Sequence, residues 1–118
     1  MKLYNSTISD MENGWFIGNF EPSIHKTDQF EISHMKIDKG HEPTPHTHKL
    51  AMELTYIVSG EAIIFYENKE FCITSGNFFM YEPGDVANMV YTRDSDIIVI
   101  KWPSVPNDKY VISGNSNG

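Results

Sequence analysis

The chain has 118 residues and a mass of 13.5 kDa, which suits one hydrophobic core rather than two. Its residues are 40% hydrophobic and 13% aromatic with 21% charged, a composition that supports a packed globule and excludes a disordered chain. Sixteen acidic against nine basic residues leave a net charge of -7, so nucleic acid and anionic membrane surfaces are not expected partners.

Met1 to Asp10 contains one lysine and no apolar stretch of the secretory kind, so a cytoplasmic location is the expectation. Asn5-Ser6-Thr7 and Asn13-Gly14 have turn chemistry, which makes residues 1–14 an irregular N-terminal arm. From Trp15 the pattern changes to short runs of aromatic and β-branched residues bounded by Gly, Pro, Asn or Asp. These runs predict strands over Trp15–Asn19, Phe30–Ile37, Met52–Val58, Ala62–Tyr66, Glu70–Ile73, Asn77–Tyr81, Val86–Tyr91 and Ile97–Trp102. Glu67-Asn68-Lys69 is the polar break of a hairpin, and Gly76 and Pro83-Gly84-Asp85 mark the next two turns. The longest apolar runs, such as Ile97 to Ile100, span four residues where a membrane helix needs about 20.

No window has the apolar spacing of a helix, so the fold class expected is all-β, a closed barrel or jelly roll with room for a ligand inside. One domain is expected over residues 15–112, ending in an extended strap set by Pro103 and Pro106, with residues 113–118 as a disordered tail. Cys72 has no partner for an intramolecular disulfide, and the alternation around it marks a small core or wall residue.

Three of the five histidines lie within eight residues, at positions 41, 46 and 48. In an extended chain residues i and i+2 share a face, so His46 and His48 can aim both imidazoles at one point. Glu53 follows on a strand that alternates Glu53, Thr55 and Ile57 against Leu54, Tyr56 and Val58. With Glu53 facing inward, two imidazoles and a carboxylate meet in a set able to hold a divalent transition metal (iron, manganese, nickel or zinc) with coordination positions left open.

This stretch resembles the first motif of the cupin superfamily, which runs Gly, five residues, His-x-His, three or four residues, Glu, six residues, Gly. Gly40, His46, His48, Glu53 and Gly60 fit it. The second motif is present in part: Gly76 and Gly84 match, whereas Glu82, Ala87 and Tyr91 stand where the family has Pro, His and Asn. The resemblance implies a small single-domain cupin barrel with a pocket lined by His46, His48 and Glu53, in which Ala87 replaces the remaining histidine ligand. His34, which alternates with Ile32 and Lys36, and Asn88, beside Ala87, are candidate contacts to a substrate, as are the ring residues Tyr56 and Tyr91.

Two functions follow. One is a metal-dependent small-molecule enzyme with oxygenase or sugar isomerase/epimerase-type chemistry. The other is a non-catalytic module that binds a sugar or another small molecule with a degenerate metal site. A homodimer, paired through sheet edges, the N-terminal arm or the strap, is compatible with both.

Overall fold

Alternation of apolar and polar side chains makes strands of most of the chain, and the computed structural model describes residues 1–5 and 11–112. A short 3-10 turn, Glu12–Gly14, leads into β1 (Trp15–Gly18), β2 (His25–Lys26), β3 (Glu31–Ile37), β4 (His46–His48) and β5 (Met52–Ser59). The chain continues through β6 (Glu61–Tyr66), β7 (Lys69–Thr74), β8 (Phe78–Tyr81), β9 (Val86–Ala87), β10 (Met89–Tyr91), β11 (Ser95–Trp102) and β12 (Lys109–Val111). The all-β expectation holds. Residues 6–10 of the expected arm and the whole expected tail, 113–118, lie outside the described residues.

Three segments that the pattern did not predict are strands: β2, β4 and β12. Each has two or three residues, too few for a period to show; β2 is held by parallel pairing to β1 just before it, and β4 and β12 by pairing to neighbours distant in sequence. The expected strand Val86–Tyr91 is two strands. β9 pairs with β4 and β10 with β6, and at the junction Asn88 turns its carbonyl to accept the Phe65 N–H at 2.9 Å. At the β6–β7 hairpin both Glu67 and Asn68 have positive φ, 50° and 63°, so the turn has two residues and Lys69 already pairs with Tyr66.

A six-stranded sheet runs in the order β2-β1-β3-β11-β5-β8, and two three-stranded sheets, β10-β6-β7 and β12-β4-β9, complete the barrel. The core forms where inward residues of the large sheet, Ile57, Tyr81, Ile97 and Val99, meet Ala62, Ile64, Met89 and Tyr91 of the β10-β6-β7 sheet. Burial of these apolar side chains is the main driving force for closing the sheets. Cys72 lies on the other face of β7 and is exposed, because it pairs with outward Ile63 rather than with Ala62 or Ile64.

Gly60 makes the link from β5 to β6 with φ 112°, and a Cβ there would lie 2.1 Å from Ser95 Oγ and 2.6 Å from Ser95 Cα. No side chain fits that approach, which explains in steric terms why the motif has glycine at this point. No helix among the described residues is long and apolar enough to cross a membrane.

Candidate metal centre

The large sheet carries a polar row across four strands: Glu31 of β3 opposes Lys101 of β11, Lys101 opposes Glu53 of β5, and Glu53 opposes Tyr81 of β8. Residues directly opposite share a face, so this row follows from register alone. Across the barrel β4 presents His46 and His48 from the same face of its short strand. Thr47, between them, points away and donates to the Asp85 carbonyl at 2.8 Å, while the Gly84 N–H donates to the His48 carbonyl at 2.8 Å. These bonds seat β4 against the β8–β9 turn.

The ligand atoms of His46, His48 and Glu53 lie within 4.8 Å of one another, and the two imidazoles meet edge to face with centroids 5.1 Å apart. His46 Nδ1–H donates to the Thr44 carbonyl at 2.9 Å. A carbonyl only accepts, so that bond places the proton on Nδ1 and leaves the Nε2 lone pair free, the outer support common to metal-binding histidines. His48 is buried; its Nε2 has no hydrogen-bond partner, and its Nδ1 stands 3.8 Å from Glu53 Oε1, beyond hydrogen-bond range. A buried imidazole nitrogen without a partner among the described residues is an incomplete arrangement, and a coordinated cation completes it.

The electrostatics suit the same role. Burial, helped by Lys101 and His46, pulls the His48 pKa down to about 4, so the ring is neutral and ready to donate its lone pair near pH 7. Burial pushes the Glu53 carboxyl up, against the pull of Lys101 and His46, so without a further positive charge its ionised form is costly here. Donor types, spacing and the unpartnered His48 Nε2 fit a divalent first-row metal.

A cavity of about 490 Å³ opens from this cluster, within the size range of small-molecule pockets. Its walls are largely apolar, with Met35, Ile37, Phe79, Met89, Ile97 and Val99, and its polar groups besides the cluster include Thr55, Tyr81, Tyr91 and Lys101. Tyr91, an expected substrate contact, lies in this wall, with its pKa pushed up to about 12 by burial and by Glu53. His41 covers it at the mouth, its ring stacked at 6.3 Å.

The structure corrects three expected substrate contacts by placing them outside the cavity. Tyr56 is on the outer face of β5, opposite in direction to Glu53 and Thr55, and its ring packs near Phe78 at 6.4 Å. His34 points outward from β3 and pairs with Asp96, which also takes Lys36 at 3.6 Å. Asn88 is exposed in a surface groove with Phe65, Tyr66 and Asp85, whereas Ala87 faces the cavity and opposes His46 in register. Sequence reasoning missed Lys101, although its place after Ile97 and Val99 on an alternating strand already put it on the inward face. It also missed Tyr81 and Lys109, and Lys109 had no signal, since β12 has no period of its own.

The sequence matches no family profile and no curated protein. Similar solved structures include KdgF from Halomonas sp., with a TM-score of 0.63 at 23% identity over 69% of this chain and 74% of that one. A conserved protein with a double-stranded β-helix domain from Klebsiella pneumoniae superposes with a TM-score of 0.66 at 16% identity, over 76% of this chain and 80% of that one. A sugar phosphate isomerase of the cupin superfamily from Silicibacter pomeroyi gives 0.55 at 15% identity over 63% of this chain, which spans 50% of that protein's length.

Proposed function

We propose that this chain, which has the cupin fold shared by those structures, is a metal-dependent enzyme acting on a small oxygen-rich molecule by sugar isomerase-type proton transfer. The observation that carries this reading is the meeting of His46, His48 and Glu53 in a largely apolar cavity, with Nε2 of buried His48 unpartnered among the described residues. His46, His48 and Glu53 would hold the ion, and its chemistry there is Lewis acidity toward a carbonyl or hydroxyl oxygen. Its identity among iron, manganese, nickel and zinc is left to measurement.

The chain's own residues supply the rest. Tyr91, with its pKa near 12, and Tyr81, raised further by burial and Glu53, both keep their protons near pH 7 and can donate hydrogen bonds to a substrate oxygen. Tyr81 OH is buried without a well-formed hydrogen bond among the described residues, so it has a donor to offer. Phe79, Met89, Ile97 and Val99 keep water from that end of the cavity. Isomerisation is favoured over oxygenation because the polar wall consists of proton-bearing groups, and the similar structures include a sugar phosphate isomerase. The rival reading, a binder without turnover, draws on Ala87, whose methyl group faces the cavity where the family motif has histidine.

Mass-spectrometric metal analysis of protein purified anaerobically, followed by a panel of aldoses, ketoses, sugar acids and their phosphates in deuterated water, separates these readings. About one ion per chain and metal-dependent isomerisation or C–H exchange are the expected results. A metal-free protein would overturn the proposal, and a metal-loaded protein that binds panel members without exchange or turnover would replace it by the binder.

A second copy of the chain is proposed to cover the outer face of the large sheet. There Ile98, Tyr56 and Phe78 lie side by side, followed by Ile100, Leu54 and Met80 and then Trp102 and Met52, with no charge among them. Phe78 is 66% and Met80 47% exposed. Tyr56 and Trp102 are exposed as well, and a contiguous exposed apolar face of this kind marks a surface that a partner covers. The face is proposed in place of the sheet edges expected from the sequence. Sedimentation should show a dimer that Phe78→Asp dissociates; a wild-type monomer at all concentrations would count against it.

A further inference from the structure

We propose that the cavity recognises an anion: a carboxylate or phosphate group of the ligand seats against Lys101, with Lys109 at the rim, beside the His46, His48 and Glu53 cluster. This deepens the reading above, because it names the substrate class of the same cavity, and it rests on residues other than the cluster itself.

The first observation is an inversion of charge. The chain carries -7 overall, yet the side chains that face into the cavity include Lys101 and Lys109 against a single carboxylate, Glu53. With walls of low polarizability around it, such an excess of cations concentrates an anion at the site. Once Glu53 is engaged by a metal, no free carboxylate among the lining residues opposes these lysines.

The second observation is how Lys101 is held. Its side chain is 16% exposed, faces inward from β11, and lies with Nζ 4.9 Å from the centre of the Trp15 ring. Nζ is 3.5 Å from Glu31 Oε2. The other Glu31 oxygen, Oε1, accepts from Ser104 Oγ–H at 3.0 Å, and Ser104 Oγ accepts from the Asn19 N–H at 2.8 Å. Glu31 and Ser104 are both buried, so this chain of bonds anchors the carboxylate that steadies Lys101. The ammonium is therefore prevented from swinging out to water. At 3.5 Å the Lys101–Glu31 contact is longer than the about 2.7–2.9 Å of a full charge-assisted hydrogen bond, which leaves the ammonium donors for a ligand. A mostly buried cation with a loose partner, facing a cavity, is completed by an incoming anion.

Lysine presents a compact point charge rather than the planar fork of arginine, so it accepts a carboxylate or a phosphate, and the probes must distinguish them. The test is an NMR titration of isotope-labelled protein with inorganic phosphate and, separately, with malonate, at constant ionic strength against chloride. Saturable shifts at Lys101 and Tyr91 are expected, and the tighter probe names the group. Lys101→Met should weaken binding by about tenfold, the loss of one charge-assisted contact. Lys101→Arg, which keeps the charge, should retain binding, and exposed Lys69→Met at the hairpin should change nothing. Absence of saturable shifts in the wild type, unchanged affinity in Lys101→Met, or equal losses in Lys101→Met and Lys69→Met would overturn the proposal. Metal content measured on the same samples keeps the two readings apart. A metal-free protein that binds phosphate or malonate through Lys101 sustains the anion site and removes the metal-dependent enzyme; a metal-loaded protein indifferent to both probes does the reverse.

Discussion

His48→Ala is expected to lower metal affinity by more than about 100-fold, beyond what loss of an outer support costs, and to take metal-dependent turnover with it. The wild type should gain about 2.7 kcal/mol of stability when the free ion is at 100 times its dissociation constant, and the variant should gain no more than about 0.4 kcal/mol at the same ion concentration. Thermal unfolding with and without added zinc or manganese reads this directly, with no need for a substrate. Because His48 is buried, its truncation also removes packing, so His46→Ala, at a half-buried position, serves as the second variant. Metal-induced stabilisation persisting in both variants would refute the assignment. The metal-free protein adds a pH signature. His48 is neutral when folded, its pKa lowered from 6.5 to about 4, so the unfolded chain binds the extra proton in that window. Stability should fall as pH falls from 6.5 toward about 4, and this contribution should be missing in His48→Ala.

Asp108→Ala is expected to destabilise the protein by about 3 kcal/mol, the scale of losing a buried charged acceptor that satisfies three successive backbone amides. Asp108 is buried. Its Oδ1 accepts from the Lys49 and Leu50 N–H groups at 3.1 and 3.2 Å, and its Oδ2 from those of Leu50 and Ala51 at 3.1 and 3.0 Å. Those amides form the link between β4 and β5, so one carboxylate on the strap sets the spacing between His48 and Glu53. Burial alone would raise its pKa, but the amides of Ala51, Leu50 and Lys49 hold it below the usual aspartate value of 3.8. A depressed carboxylate contributes stability that is present above 3.8 and lost as pH falls through the folded value. Urea unfolding across that acid range should show a slope in the wild type that Asp108→Ala lacks. The variant should also bind metal more weakly, and a variant as stable as the wild type would show that the strap is ornamental to the link.

Much of this was legible in the residues before any fold was known. Alternation with period two, cut by Gly, Pro and Asn, predicted the long strands and the all-β class, because side chains on a pleated chain must face opposite sides whatever the strand pairs with. His46-Thr47-His48 and Glu53 were legible for the same reason, since spacing i to i+2 survives any choice of neighbours. Two of the three misplaced substrate contacts were legible in the same way. Tyr56 shares β5 with Glu53 but differs from it in parity, and parity alone assigns it to the outer face; His34 is equally parity-bound, across from outward Ile98. Asn88 needed the break between β9 and β10, which depends on a hydrogen bond from Phe65 and so on the neighbouring strand.

What the sequence by itself determined was therefore local: strand periods, turn positions, and which donor atoms lie on one side of one strand. Beyond the β6–β7 hairpin, the tertiary structure alone decided which strands stand beside each other. It set the row Glu31, Lys101, Glu53 and Tyr81, brought Ala87 opposite His46, and put Asp108 under the β4–β5 link. Those relations join residues up to 70 positions apart, as Glu31 and Lys101 are, and they arise from register and burial summed over whole sheets. A period in one segment carries no information about its partner's register, because that is settled by the shared core that both must bury.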